Sequence, residues 1–182
     1  QKTLAACLLR DDALPDIACS CNGYFYGRDW SPISREELHD RLFQEADSVV
    51  FKTNSSMRGR GVSFVSRSTF DPGAVRELGD GCFQRYIRAH PTVPTFGVPS
   101  VATLRVVTTL DRTGVPSARF GYLQLGRIGH SHIISDDCFR VMLCIDTGRL
   151  RSPGYLADWT PVSAHPDTDQ AIEGVAYPRI QE

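Results

Sequence analysis

The stretch VVFKTNSSMRGRGVSFV, residues 49–65, places a polar, glycine-containing loop between two apolar runs. Val49, Val50 and Phe51 lead into Lys52; Val62, Phe64 and Val65 resume the apolar pattern. β-Branched and aromatic enrichment predicts two buried strands joined as a hairpin. A lysine at the end of a buried strand is held by its neighbours and works as a positioned point charge. Gly59 and Gly61 let the backbone come close to an anion, while Ser56 and Arg58 add donors. Two readings stand: an ordinary exposed hairpin, or a loop that closes over phosphate. The loop is not a P-loop, because it lacks G-x-x-x-x-G-K and no helix follows, and it is not the dinucleotide fingerprint.

Outward from this stretch, Leu4, Ala5, Leu8 and Leu9 give residues 2–10 a helical spacing. IACSCNG, residues 17–23, reads as a short strand ending at Asn22-Gly23. SREELHDRLFQEA, residues 34–46, is the clearest helix, with Ser34 as cap, Glu37 completing a capping box, and Leu38, Leu42 and Phe43 on one face. DPGAVRELG, residues 71–79, reads as a short helix with Pro72 in the first turn and Gly79 at the stop. After Gly81 the texture becomes strand-like in CFQRYI, SVATLRVVTTLD, ARFGYLQLGR and FRVMLCID, with a turn at Gly114. The segment after Gly148, rich in Pro, Asp and Gly, reads as loops. The expectation is an α+β chain with a mixed subdomain over residues 1–90 and a mostly antiparallel β subdomain over 91–182, joined by the proline-stiffened AHPTVPTFGVP.

The totals agree with a globular chain. Its 182 residues are 41% hydrophobic, and the net charge of −1 gives no global pointer to nucleic acid or a membrane surface. No run has the length of a membrane span, and no secretory signal is visible. The chain lacks an initiator Met, which points to a processed chain or a piece of a longer one. Six cysteines lie scattered, mostly in apolar company and without C-x-x-C spacing; they read as buried, reduced thiols of a cytoplasmic protein.

Three further features bear on chemistry. In CFQRYIRAHP, Phe83 and Ile87 pointing into the core would leave Gln84 and Tyr86 facing elsewhere, and a segment leaving a strand can offer backbone groups to an adenine ring; a plain edge strand is the other reading. Arg105 lies inside an apolar strand, where a buried guanidinium requires an anion. That anion is either a structural carboxylate or a bound phosphate or substrate carboxylate, and Arg127 in LQLGRIGH poses a milder version of the same choice. His130 and His132 form an H-x-H pair without an evident third ligand and read as a solvated loop, HPDT (residues 165–168) reads as turn chemistry, and no metal site or Ser/His/Asp arrangement stands out.

Taken in order, VVFKTNSSMRGRGVSFV, FQRYIRAHP, SVATLRVVTTLD, FGYLQLGRIG, CIDTGRL and HPDT resemble the ATP-grasp superfamily. More narrowly, they are similar to its sugar-transfer-associated members, related to α-L-glutamate ligases. The resemblance implies two α+β subdomains gripping ATP. It implies that Lys52 meets the nucleotide phosphates beneath a loop containing Ser56, Arg58, Gly59 and Gly61. Lys2 matches the first nucleotide lysine, Gln84 the hinge, and the Tyr86–Ile87 backbone the adenine contact. Arg105 takes the catalytic position near the γ-phosphate or acyl substrate, and Arg127 counts among the cofactor-binding residues. The chain departs from the pattern in its arginine-bearing loop. Asp136 and Asp137 stand where Asp-Asn is usual, and the glycines that follow there are missing.

The implied reaction is carboxylate–amine (or thiol) ligation through an acyl phosphate, with ATP, Mg²⁺, a small-molecule or peptide carboxylate and an amine acceptor as partners. Positioning and charge neutralisation carry such chemistry without a protein nucleophile. The Mg²⁺ ligands of such proteins are expected mainly beyond residue 182, so this chain alone is expected to turn over little or no ATP. The competing expectation is a nucleotide-binding or interaction module without ligase activity.

Overall fold

The computed structural model describes residues 2–9, 13–89, 91 and 96–177. The chain divides into two compact units, Gln1–Ile87 and Arg88–Glu182.

In the first unit a 3₁₀ turn (Lys2–Leu4) leads into α1 (Ala5–Leu9). There follow β1 (Asp16–Cys21), β2 (Tyr24–Gly27), β3 (Pro32–Ile33), α2 (Arg35–Leu42), β4 (Ser48–Thr53), β5 (Val62–Ser66), α3 (Pro72–Leu78) and β6 (Gly81–Arg85). The strands form one antiparallel sheet in the order β3-β2-β1-β6-β4-β5. Asn22 and Gly23, both with positive φ, make the tight turn between β1 and β2.

Side-chain alternation divides that sheet. Phe51 of β4 faces Phe83 of β6, their ring centroids 4.8 Å apart. With Val49, Ala18 and Phe25 they form a core with Leu38 and Leu42 of α2, Phe43, and Val75 of α3. Truncating either buried phenylalanine to Ala costs about 3–5 kcal/mol by the usual core rule. Lys52, Val50, Cys82, Gln84 and Cys19 alternate onto the opposite face.

Ser34 caps α2 as expected, its Oγ accepting from the Glu37 N–H at 3.1 Å. The helix stops at Leu42, before the expected Ala46. The physical reason is a side-chain stop: Arg67 reaches back to donate from Nη2 to the Phe43 carbonyl while its Nε donates to Asp47 at 2.9 Å. Asp71 starts α3, accepting from the Gly73 N–H at 2.8 Å.

The second unit contains β7 (Thr103–Leu110), β8 (Pro116–Leu125), β9 (Phe139–Leu143), β10 (Leu150–Tyr155) and β11 (Pro161–Val162) in an antiparallel sheet ordered β11-β10-β9-β8-β7. No α-helix is present among its described residues. Its core gathers Phe96, Leu123, Leu125, Phe139, Val141, Leu143, Leu150, Ile172 and Tyr177. The chain is thus α+β, with two antiparallel sheets and few helices.

Four expectations need correction. Residues 150–155 and 161–162 are strands rather than loops; Pro153 and Gly154 fall where the β9–β10 register shifts, which is where a sheet tolerates them. Phe96 and Val98, read as part of a stiff linker, are buried, and Phe96 belongs to the second core. His90 and residues 92–95 of that linker lie outside the described residues. β5 is only half-buried, because it forms the sheet rim, and Phe64 is 45% exposed. β7 is exposed along its whole length. Of β8 only Gly121–Leu125 pair with β9, so the rest of the β7–β8 hairpin overhangs the sheet as a two-stranded ribbon.

Candidate functional site

The charged cluster of the first unit is built where β4 ends and β6 begins. Lys52 pairs with Val62 on one side and Cys82 on the other, and Thr53 pairs with Gly81. Gly81 is required here: a Cβ would stand 2.4 Å from the Lys52 carbonyl oxygen. The 3₁₀ turn bearing Lys2 packs against β6. Lys2 and Lys52 therefore share one corner of the sheet, with the Cys82 thiol between their fields. Burial holds the Lys2 ammonium below the ordinary lysine value; Cys82 opposes that shift and Lys52 adds to it. Burial pushes the Cys82 thiol up to about 11, Asp16 adds to the rise, and the two lysines pull the other way.

The loop after Lys52 is a folded object. Thr53 N–H donates to the Gly61 carbonyl at 3.0 Å and closes its base. Arg60 N–H donates to the Met57 carbonyl at 3.1 Å across a turn whose central residues, Arg58 and Gly59, both have positive φ. That mirror-image turn matches the twist of the flanking strands, as hairpins prefer. Gly61 also has positive φ, and a Cβ there would stand 2.2 Å from Thr53 Oγ1. Ser56 Oγ donates to the Thr53 carbonyl at 2.9 Å.

Lys2, expected to reach nucleotide, is engaged with this loop. Its Nζ donates to the Thr53 carbonyl at 2.5 Å, the Ser56 carbonyl at 2.7 Å and Ser56 Oγ at 2.7 Å. Thr3 adds a second clasp: its N–H donates to Asn54 Oδ1 at 3.1 Å, and Asn54 Nδ2 donates to Thr3 Oγ1 at 3.2 Å. Sequence reading missed Thr53 and Asn54. Neither residue type announces a partner some fifty positions away, so no local signal could have found them.

The expected hinge segment is partly accounted for. Gln84 Nε2 donates to Asp16 Oδ1 at 2.5 Å, tying β6 to β1 where their register shifts. Tyr86 and Ile87 follow β6, 38% and 52% exposed, and the Tyr86 ring meets Phe64 edge-on at 5.8 Å. An exposed aromatic pair thus stands toward the end of β6 away from the lysine corner, Phe64 paired with Val50 of β4 and Tyr86 just past Arg85.

Of the two candidate arginines of the second unit, Arg105 departs from expectation and Arg127 takes one of its two alternatives. Arg105 is exposed, not buried, because β7 is the sheet rim; its apolar neighbours Leu104 and Val106 are each 41% exposed. Its Nε donates to Gln124 Oε1 at 3.0 Å, so the anion that a buried guanidinium would demand is not required. Arg127 takes the structural-carboxylate alternative. Its Nε and Nη2 donate to Asp167 at 2.8 and 2.5 Å, and Nη1 to Asp137 at 3.1 Å. Asp167 also accepts from the Ile128 N–H at 2.8 Å, and the paired guanidinium holds its carboxyl down at about 2.

His165, read as turn chemistry, is fully buried between Phe96 and Phe139. Its Nδ1 accepts from the Asp167 N–H at 3.3 Å, which leaves Nε2 to donate to the Gly126 carbonyl at 3.1 Å. The HPDT turn therefore locks the LGR strand end. His130 and His132 are half-buried rather than solvated, His130 Nε2 lying 3.8 Å from Asp137 Oδ2. Among the described residues no three of His, Cys, Asp and Glu come together to hold a metal. Cys19, Cys82 and Cys138 are buried free thiols, while Cys21 and Cys144 are half-buried.

No family model matches the chain, and no solved structure matches it. Over 140 residues, 77% of the chain, it is 25% identical to the ESX secretion system protein EccC of Thermomonospora curvata. The chain spans about a tenth of the length of that curated relative. No helix among the described residues is long and apolar enough to cross a membrane.

Proposed function

We propose that the first unit binds the polyphosphate of ATP and that the chain is the nucleotide-binding portion of an ATP-grasp-type protein. The observation that carries this reading is the convergence of Lys2, Lys52 and a glycine-containing hairpin at one corner of an antiparallel sheet. The order of elements supports it too: strand β4 ending in lysine, loop, strand β5, helix α3, strand β6, then an exposed aromatic pair. Lys52 supplies a fixed positive charge at a strand end, and the loop supplies backbone N–H groups with the close approach glycine allows. Phe64 and Tyr86 offer an apolar surface of the size a purine covers.

When bound, ATP supplies the phosphoryl group that converts a carboxylate into an acyl phosphate, from which an amine or thiol displaces phosphate. This chain's residues would bind and orient the nucleotide. Among the described residues no three of His, Cys, Asp and Glu gather to hold a metal ion. Arg105, exposed at the rim of β7, has a glutamine and no carboxylate among its described contacts; it keeps the substrate-side role in this reading.

Calorimetric titration of ATP into wild type and Lys52→Ala tests the proposal. The expected result is binding by wild type and an affinity at least about tenfold lower in the variant, the scale of one charge-assisted contact. Equal affinities remove Lys52 from the site, and absence of binding by wild type overturns the reading.

A further inference from the structure

An ammonium group has three donor protons and no acceptor. At Lys2 one acceptor stands at hydrogen-bond distance for each proton: the Thr53 and Ser56 carbonyls and Ser56 Oγ. All three belong to the first turn of the loop that follows Lys52. The neighbouring Thr3, itself buried, clasps Asn54 through two more hydrogen bonds. Five hydrogen bonds from two adjacent residues thus converge on residues 53–56 across some fifty positions of sequence. The same loop holds positive φ at Arg58, Gly59 and Gly61, and at Arg58, the non-glycine among them, that conformation is disfavoured and needs support from its surroundings.

We propose that Lys2 is the positioning residue of this loop: a three-point latch that fixes the turn at Thr53–Ser56 and, through it, the backbone of residues 57–61. Lys2 then acts on a bound phosphate through the order of the loop, since turning its ammonium outward means giving up a loop acceptor. The N-terminal turn and the loop become one element, so whatever moves the former loosens the latter. Cys82 and Lys52 face the latch from β6 and β4 and set the field in which it sits. Only the link to phosphate rests on the ATP-binding reading; the latch itself does not.

The test is limited proteolysis without nucleotide, using a protease that cuts after arginine. Arg58 and Arg60 report on the loop, and Arg112, in the turn between β7 and β8 of the other unit, is the internal control. Cleavage in a folded chain follows the population of the locally open form. Lys2→Met keeps most of the unbranched apolar stem and removes the donors. Cutting after Arg58 and Arg60 is expected to accelerate about fivefold or more, with cutting after Arg112 unchanged. Unchanged loop cleavage overturns the latch. If Lys2→Met opens the chain everywhere, Lys2→Gln decides: it keeps two donors at that position and leaves the loop's own Ser56–Thr53 hydrogen bond intact. A smaller acceleration confined to the loop supports the latch, and none overturns it. ATP titration of the same variants separates the two ideas. Failure of wild type to bind ATP removes the nucleotide reading and leaves the cleavage result standing. If wild type binds, Lys2→Met weakens binding less than Lys52→Ala; an equal or larger loss makes Lys2 a direct ligand and overturns its positioning role.

Discussion

Arg127 grips Asp167 through two parallel N–H donors across forty residues of sequence, and the Ile128 N–H adds a third donor to the same carboxylate. Bidentate, charge-assisted pairs of this kind are the strong ones. The carboxyl, ordinarily near 3.8, is held at about 2. A depressed carboxyl stabilises the fold fully above its unfolded value and loses that contribution as pH falls through the folded one. The second unit is therefore expected to lose stability between about pH 4 and pH 2. Asp167→Asn should cost about 1–2 kcal/mol at pH 7, discounted for partial solvent screening, and should flatten the acid slope. Urea unfolding at a series of pH values checks both; parallel slopes in wild type and variant count against the pair.

Gly61 and Gly79 both have positive φ, yet they are predicted to respond differently to alanine. At Gly61 the new Cβ meets Thr53 Oγ1 and Ser56, and the cost is expected to be about 2–3 kcal/mol. At Gly79 nothing lies within 4 Å, so only the backbone preference is lost, about 1 kcal/mol. Chemical denaturation of the two variants measures the difference, and equal losses contradict the packing described for the loop base.

Arg105→Ala is expected to change stability by less than about 0.5 kcal/mol, because the side chain is exposed and makes one hydrogen bond to an uncharged partner. A thermal melt of the variant suffices. A loss above about 2 kcal/mol would show that the guanidinium has a structural partner after all. A role in chemistry, by contrast, predicts an unchanged melt with altered ligand response.

The thiols should separate by reactivity. Hydrogen bonds from Thr147 first, then Arg151, bring the Cys144 thiol down to about 7, whereas burial pushes Cys19 up to about 12 and Cys82 up to about 11. Since the thiolate is the nucleophile, iodoacetamide at pH 7.5 should modify Cys144 well before Cys19 or Cys82. Mass mapping of the alkylated peptides reads the order, and early labelling of Cys19 would contradict its burial.

The sequence made some of this legible and hid the rest for identifiable reasons. Ser34, Pro72 and Asn22-Gly23 are local signals, and the elements they start or join begin where the residues placed them. The two strands of the Lys52 hairpin and the turn between them were readable because their signals lie within seventeen residues. Burial was not: apolar composition cannot say whether a strand sits at a rim, so β5 and β7 read as interior and Arg105 as a buried charge. Long-range partners were equally invisible. Nothing near Arg127 announces Asp167, and nothing near Lys2 announces Ser56. Pro153 and Gly154 disguised β10, because a register shift admits residues that a regular ladder rejects.

The overhanging ribbon of the second unit has a practical side. Along β7, Leu104, Val106, Val107 and Leu110 are exposed, and among the described residues β7 pairs with β8 alone. A long rim with open N–H and C=O groups and apolar side chains is a template for adding a further strand. Preparations of the chain should then self-associate as concentration rises, and a gatekeeper charge at the rim, Val107→Lys, should suppress it without disturbing either core. The strand that was hardest to read as a surface is thus the one that sets how the protein must be handled.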